Sequence, residues 1–152
     1  MLKELLDTNH CFKLVCGAGN EDCESVKKLV YIYAKAGCKC FDLSARSEIL
    51  ESAKEGAALA NKNNIHFCVS VGIKGDPHIS KAKINYSKCI NCGNCARNCP
   101  NNAIYPPNLI DDKKCIGCGN CAKKCSTGAI SMYEKDIDVK TILPYMVENG
   151  VE

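Results

Sequence analysis

Eight of the fourteen cysteines of this 152-residue chain fall into two runs of identical spacing, Cys89-x2-Cys92-x2-Cys95-x3-Cys99 and Cys115-x2-Cys118-x2-Cys121-x3-Cys125. The flanking residues repeat with them: residues 84–104 read INYSKCINCGNCARNCPNNAI and residues 110–130 read IDDKKCIGCGNCAKKCSTGAI. Three thiolates two residues apart lie on a tight loop that curls round one corner of a cubane. Gly93 and Gly119 let the backbone come close to its inorganic sulfides. A duplicated unit of this kind predicts a pseudo-symmetric pair of [4Fe–4S] clusters.

After the x3 spacer the chain has entered a short helix that leads away from its own site. In two-cluster ferredoxins of the bacterial kind the fourth cysteine therefore serves the other cluster. The expected ligand sets are Cys89, Cys92, Cys95 and Cys125 for one cluster, and Cys115, Cys118, Cys121 and Cys99 for the second. Structural zinc also uses paired Cys-x2-Cys units, but it needs four ligands per ion and gains nothing from two duplicated four-cysteine runs. A disulfide scaffold is disfavoured, because the opening MLKELLDTNH is short and charged rather than a secretory signal, and no apolar run approaches membrane length. The expected setting is the reducing cytoplasm, away from any membrane.

The motif occupies residues 81–135, which carry nine basic side chains against three acidic; residues 1–80 carry ten of each, and residues 136–152 one against four. If each oxidised cluster with its thiolates contributes about −2, the loaded domain remains mildly cationic at about +2. Such a surface points to an acidic redox partner or a docked neighbouring domain, unless Lys113, Lys114, Lys123 and Lys124 are simply a solvated face. Nucleic acid is not an expected partner, since the basic residues lack interleaved aromatics and the chain has no Trp.

The first half alternates strand and helix signals. Apolar runs at residues 12–16, 38–43 and 65–71 are separated by helical stripes at residues 25–36 and 46–61, which reads as βαβαβ with a parallel sheet. A further stripe, Val139, Ile142, Leu143, Met146 and Val147, precedes Asn149-Gly150-Val151-Glu152, with Pro144 expected to kink that helix or mark its start. The fold class expected is therefore α/β: a partial β/α barrel over residues 1–80, an inserted α+β ferredoxin-like domain over residues 81–135, and a C-terminal helix over residues 136–152 that stops as a fourth strand begins. Three parallel strands leave an open edge, so the expectation is either marginal stability or self-association through that edge.

Barrel chemistry gathers where strands end, here Gly17, Asn20, Asp42, Ser44, Ser70 and Gly72. Lys13 and Asp42 are the unusual residues in apolar strands; a structural ion pair is the expected reading, ahead of catalysis, because no further acid, base or nucleophile stands beside them in the sequence. The glycines following Cys16 could approach a phosphate but do not complete a dinucleotide fingerprint. Cys11, Cys16, Cys23, Cys38, Cys40 and Cys68 have irregular spacing and are expected to fill the core, a reactive thiol near the strand ends being the alternative. His78, after Asp76-Pro77, is expected in a turn.

Lys13-Leu-Val-Cys-Gly-Ala, Tyr33-Ala-Lys-Ala-Gly-Cys-Lys-Cys-Phe-Asp42, Glu55-Gly56 and Gly75-Asp-Pro-His-Ile-Ser-Lys-Ala82 together resemble the light-dependent-period (LdpA) family. Those are cyanobacterial iron–sulfur proteins implicated in redox input to the circadian clock. The first half is also similar to the plastid and cyanobacterial Ycf23 proteins, predicted to form β/α barrels. The resemblance implies a longer protein. Two complete, regular motifs make this chain look like an ordinary two-cluster electron carrier, and Ser126, where the first run has Pro100, is expected to loosen a turn without removing a ligand.

The function expected is single-electron transfer or redox sensing through two [4Fe–4S] clusters, with no catalytic residue assigned. Two alternatives remain: an electron-feeding part of a barrel oxidoreductase with a flavin or other substrate near Gly17 and Ser70, and an interaction module whose clusters are structural staples.

Overall fold

Strand and helix alternate through the first half as the apolar pattern requires. The computed structural model describes residues 2–17, 20–72, 79–135 and 137–152. The chain divides into two units, Met1–Val71 with Ile137–Glu152, and Gly72–Asp136.

In the first unit a short helix α1 (Leu2–Asp7) precedes β1 (Lys13–Val15), α2 (Cys23–Lys35), β2 (Cys40–Ser44), α3 (Ser47–Leu59) and β3 (His66–Ser70). The three strands form a parallel sheet in sequence order, with Val15 opposite Asp42 and Asp42 opposite Cys68. Asp22 caps α2 by accepting from the Ser25 N–H at 3.1 Å, and Gly37, at φ +102°, turns the chain out of that helix toward β2. Strand period sends Phe41 and Leu43 into the same core as Val26 and Val30 of α2 and Ile49, Leu50 and Ala53 of α3. Cys40, Asp42 and Ser44 alternate with them, and all five residues of the central strand are buried.

The C-terminal helix α6 (Val139–Glu148) belongs to this unit and buries Met146 completely in the same core. Pro144 lies inside the helix, so it neither starts nor stops it; what it removes is one backbone donor. Beyond α6, Val151 forms a parallel bridge with Phe67, and the Glu152 N–H donates to the Phe67 carbonyl at 2.8 Å. Since Phe67 already pairs with Phe41 on its other side, the chain returns to the free edge of β3. The Glu152 carboxylate meets His66 Nδ1 there at 2.8 Å.

In the second unit β4 (Ser80–Ile84) pairs antiparallel with β7 (Ile130–Glu134), Ile84 facing Ile130, and β5 (Ile104–Tyr105) pairs with β6 (Leu109–Ile110). Two four-residue helices, α4 (Asn94–Arg97) and α5 (Asn120–Lys123), fall at matching places in the two sequence repeats. The core is small: Ala82, Ile84, Ile104 and Ile130 around Cys95 and Cys121. Among the described residues no helix is long and apolar enough to cross a membrane.

Candidate metal centre

Backbone geometry repeats from one cysteine run to the other. Gly93 and Gly119 enter their helices at φ +69° and +72°, a conformation that glycine adopts without cost. The helices close alike, with Arg97 N–H on Gly93 O at 3.2 Å and Lys123 N–H on Gly119 O at 3.1 Å. Burial repeats too: Cys95 and Cys121 are buried, Cys92 and Cys118 exposed, and the remaining four intermediate.

Two chambers result. One has about 330 Å³ of atom-free space, partly open to solvent, and is lined by Cys89, Cys92, Cys95 and Cys125 with Ile84 and Ile130. The other, about 350 Å³, is lined by Cys115, Cys118, Cys121 and Cys99 with Ile104 and Ile110. Each chamber thus brings together three thiols of one run and the fourth of the other. The helices explain the exchange: α4 and α5 carry Cys99 and Cys125 away from their own loops, and Asn94 Nδ2 donates across the repeats to Lys124 O at 2.8 Å. Among the described residues no three His, Cys, Asp or Glu side chains are grouped closely enough for one metal ion. Thiols spread round a chamber suit a cubane, whose four cysteines each bind a different iron. The donor set, the apolar walls and the glycine approach therefore fit a [4Fe–4S] cluster at each place.

Burial pushes the Cys95 and Cys121 thiols up from their ordinary range. Cys125 is lowered, first by the Thr127 hydroxyl 3.5 Å from its sulfur, with the Ala129 N–H helping at 3.2 Å. Cys99 receives the matching backbone donor, Ala103 N–H, at 3.2 Å. The turn after each fourth cysteine closes alike, Asn102 N–H on Cys99 O at 3.3 Å and Gly128 N–H on Cys125 O at 3.2 Å. Replacing the proline with Ser126 therefore leaves the turn's closing hydrogen bond intact.

Two side chains beside the chambers escaped the sequence reading. Lys81 is completely buried and its Nζ donates to the Cys115 carbonyl at 2.7 Å. Asn108 is buried in the wall of the first chamber, with Nδ2 3.4 Å from Cys89 Sγ and 2.8 Å from Asn91 Oδ1. The available signal for Asn108 was the break in the repeat, where Tyr105-Pro-Pro-Asn108 stands opposite Ser131-Met-Tyr-Glu134.

In the first unit, the three strands place Lys13, Asp42 and Ser70 together. Lys13 Nζ lies 2.7 Å from Asp42 Oδ2, and Ser70 Oγ donates to Asp42 Oδ1 at 2.7 Å. Asp42 sits within β2 rather than at its end. Asn20 closes the turn into α2, its Nδ2 donating to Cys16 O at 3.3 Å and its Oδ1 accepting from Asp22 N–H at 3.0 Å. Gly17 takes φ +101°, where a side chain would be strained. Ser44 is buried, Gly72 lies beyond β3, and neither joins the Lys13–Asp42–Ser70 group. His78 falls outside the described residues.

Cys16, Cys38 and Cys40 are buried, and Cys11, Cys23 and Cys68 are intermediate. Burial, then the neighbouring Cys38 and Asp42, pushes Cys16 up to about 12. Burial and the neighbouring Cys68 and Cys11 push Cys40 up to about 12 as well. Such thiols are packing groups at neutral pH.

Comparisons with known proteins point to the same cofactor class. The 4Fe–4S binding domain matches residues 82–105 and again residues 109–131. Over 154 aligned residues, 97% of this chain, it is 31% identical to Light dependent period A of Synechococcus elongatus, of which it spans 44%. The chain is an iron–sulfur protein similar to Light dependent period A, and its two copies of the 4Fe–4S binding domain fit two [4Fe–4S] clusters.

Proposed function

We propose that this chain relays single electrons, or reports redox state, through two [4Fe–4S] clusters ligated by Cys89, Cys92, Cys95 and Cys125 and by Cys115, Cys118, Cys121 and Cys99. The observation that carries this is the composition of the two chambers, each lined by three cysteines of one run and the fourth of the other. A bound cubane supplies reversible one-electron storage. The chain's own residues do the rest. Ile84, Ile104, Ile110 and Ile130 give the chambers apolar inner walls, the Ala103 and Ala129 amides donate to ligand sulfurs, and exposed Cys92 and Cys118 offer the rim where a partner approaches.

The partner we propose is an acidic redox protein, drawn by the basic excess of residues 81–135. The setting is the cytoplasm, where thiolates stay reduced before cluster assembly. We read the sheet of the first unit, with its strands in sequence order and Val151 joining the edge of β3, as the opening part of a β/α barrel.

Metal and sulfide analysis of anaerobically purified protein tests the reading. About eight irons and eight acid-labile sulfides per chain are expected, with a visible absorbance that dithionite bleaches. Zinc without labile sulfide would overturn it. A second reading, an electron feed for chemistry at the first unit, is favoured by the Lys13–Asp42–Ser70 group; a bound flavin in the same spectrum would select it.

A further inference from the structure

We infer that Asn108 is a potential-setting residue for the site of Cys89, Cys92, Cys95 and Cys125 alone, so that the two sites of this pseudo-symmetric domain are electronically unequal. The inference rests on the two-cluster reading above and goes beyond it.

The backbone supplies the two sites evenly. Ala103 and Ala129 donate to the fourth cysteines at the same 3.2 Å, and the helices after Gly93 and Gly119 superimpose in hydrogen bonding and in φ. A difference must therefore come from side chains. At the first chamber the Asn108 amide places one N–H on Cys89 Sγ at 3.4 Å and the other on Asn91 Oδ1 at 2.8 Å, while its Oδ1 faces Cys95 Sγ at the longer distance of 3.7 Å, so the donor to Cys89 is its closer contact with a ligand sulfur. The residue in the matching place of the second repeat is Glu134, exposed on β7. The walls of the second chamber are Ala82, Ile104, Ile110 and Met132 instead, and its one amide side chain, Asn101, donates to Lys114 O at 3.4 Å.

Asn108 is also held still. Its φ of +78° is one that asparagine tolerates better than most residues. Its own N–H is bonded to Tyr105 O at 2.6 Å, and Tyr86 Oη donates to its carbonyl at 3.5 Å. With both amide hydrogens assigned, the side chain has no rotation to make when charge changes beside it. A preset donor of this kind favours the more electron-rich state of the sulfur it faces. Low dielectric surroundings enlarge the effect, because Asn108 is only 4% exposed.

The step concerned is the uptake of one electron from an external low-potential donor, with no bond made or broken in the protein and no proton moved. Asn108 makes that uptake easier at the first site and leaves the second as its walls set it. Lys81, in β4, bonds the Cys115 carbonyl, and its contribution cancels when variants are compared with the parent chain.

The experiment is an anaerobic redox titration of the loaded full chain with dithionite, followed by electron paramagnetic resonance, for the parent, Asn108→Gly and Asn108→Asp. Glycine accepts the backbone angle and removes the amide; aspartate keeps the shape and replaces the donor with a carboxylate. In Asn108→Gly one of two midpoints should fall by about tenfold in reduced-to-oxidised ratio, or about 59 mV for a one-electron couple. Asn108→Asp should lower the same midpoint further. The hyperfine-shifted Cβ protons of Cys89 should move while those of Cys115 stay. Eight irons with both midpoints unmoved, or both moved equally, would overturn the role of Asn108; absence of iron and labile sulfide would overturn the two-cluster reading instead.

Discussion

Gly56→Ala is the substitution whose outcome the packing of the first unit determines most directly. Gly56 lies within α3, where helix propensity alone favours alanine by about 0.8–1 kcal/mol. A Cβ at that position would stand 2.5 Å from the Lys27 carbonyl oxygen and 3.2 Å from Val30 Cβ. The first distance is roughly 0.8 Å inside the ~3.3 Å of the closest ordinary carbon–oxygen contacts. Lys27 O belongs to the backbone of α2, so it cannot swing aside as a side-chain tip would; the two helices must separate. Overpacking of a tight core costs about 1–3 kcal/mol, which exceeds the propensity gain and leaves a net loss of about 1 kcal/mol, up to ~2. Urea unfolding of the anaerobic loaded protein, followed by far-UV circular dichroism, reads this as a fall in midpoint of roughly 0.3–2 M for a slope of about 1–3 kcal/mol/M. Gly56→Ser should lose more. An alanine variant as stable as the parent, or more so, would refute the argument, since it would mean that α2 and α3 move apart freely and propensity decides the sign.

Exchange of the fourth ligand predicts that Cys99→Ser perturbs the paramagnetic signal of the Cys115, Cys118 and Cys121 site more than that of its own run; damage confined to the Cys89, Cys92 and Cys95 site would show the assignment to be reversed. With Cys16 and Cys40 held up to about 12, only about one molecule in ten thousand carries either thiolate at pH 8, so iodoacetamide should leave both unlabelled in the native protein and label them after denaturation, by peptide mass spectrometry. The Asp42 hydrogen bond, then its charge, raises Lys13 above its ordinary value of 10.5. The stabilisation it brings is therefore complete below that value and lost as pH rises through the higher folded value. Thermal melts should show the parent's advantage over Lys13→Met shrinking only in that alkaline range, and an advantage lost near neutrality would contradict the pairing. Met146→Ala, which empties a fully buried site under α6, should cost about 2–5 kcal/mol in the same unfolding assay.

Local chemistry was legible because it is written at short range. Cysteine spacing, the glycines at 93 and 119, and the alternation of apolar runs each depend on neighbours within a few residues, so the cluster motif and the strand–helix order of the first half could be read directly. Of the two expectations for Pro144, a kink or a helix start, the second fails: the proline lies inside α6, where Met146 and the core it fills outweigh one missing backbone donor. Lys13 and Asp42 could be paired from strand period, whereas Ser70 joined them only once register brought β3 beside β2.

What the sequence by itself determined is the spacing and duplication of the two cysteine runs and the α/β character of the first half. What only the tertiary structure decided is which groups converge from distant parts of the chain: the joining of Ser70 to the Lys13–Asp42 pair, the return of Val151 to the edge of β3, the burial of Lys81 against Cys115, and the aim of Asn108 at Cys89. Such contacts depend on the direction of a side chain after two or more elements have packed. No local pattern encodes that direction, because the same asparagine after a Pro-Pro pair would point into water if the hairpin before β6 were not folded over the first chamber.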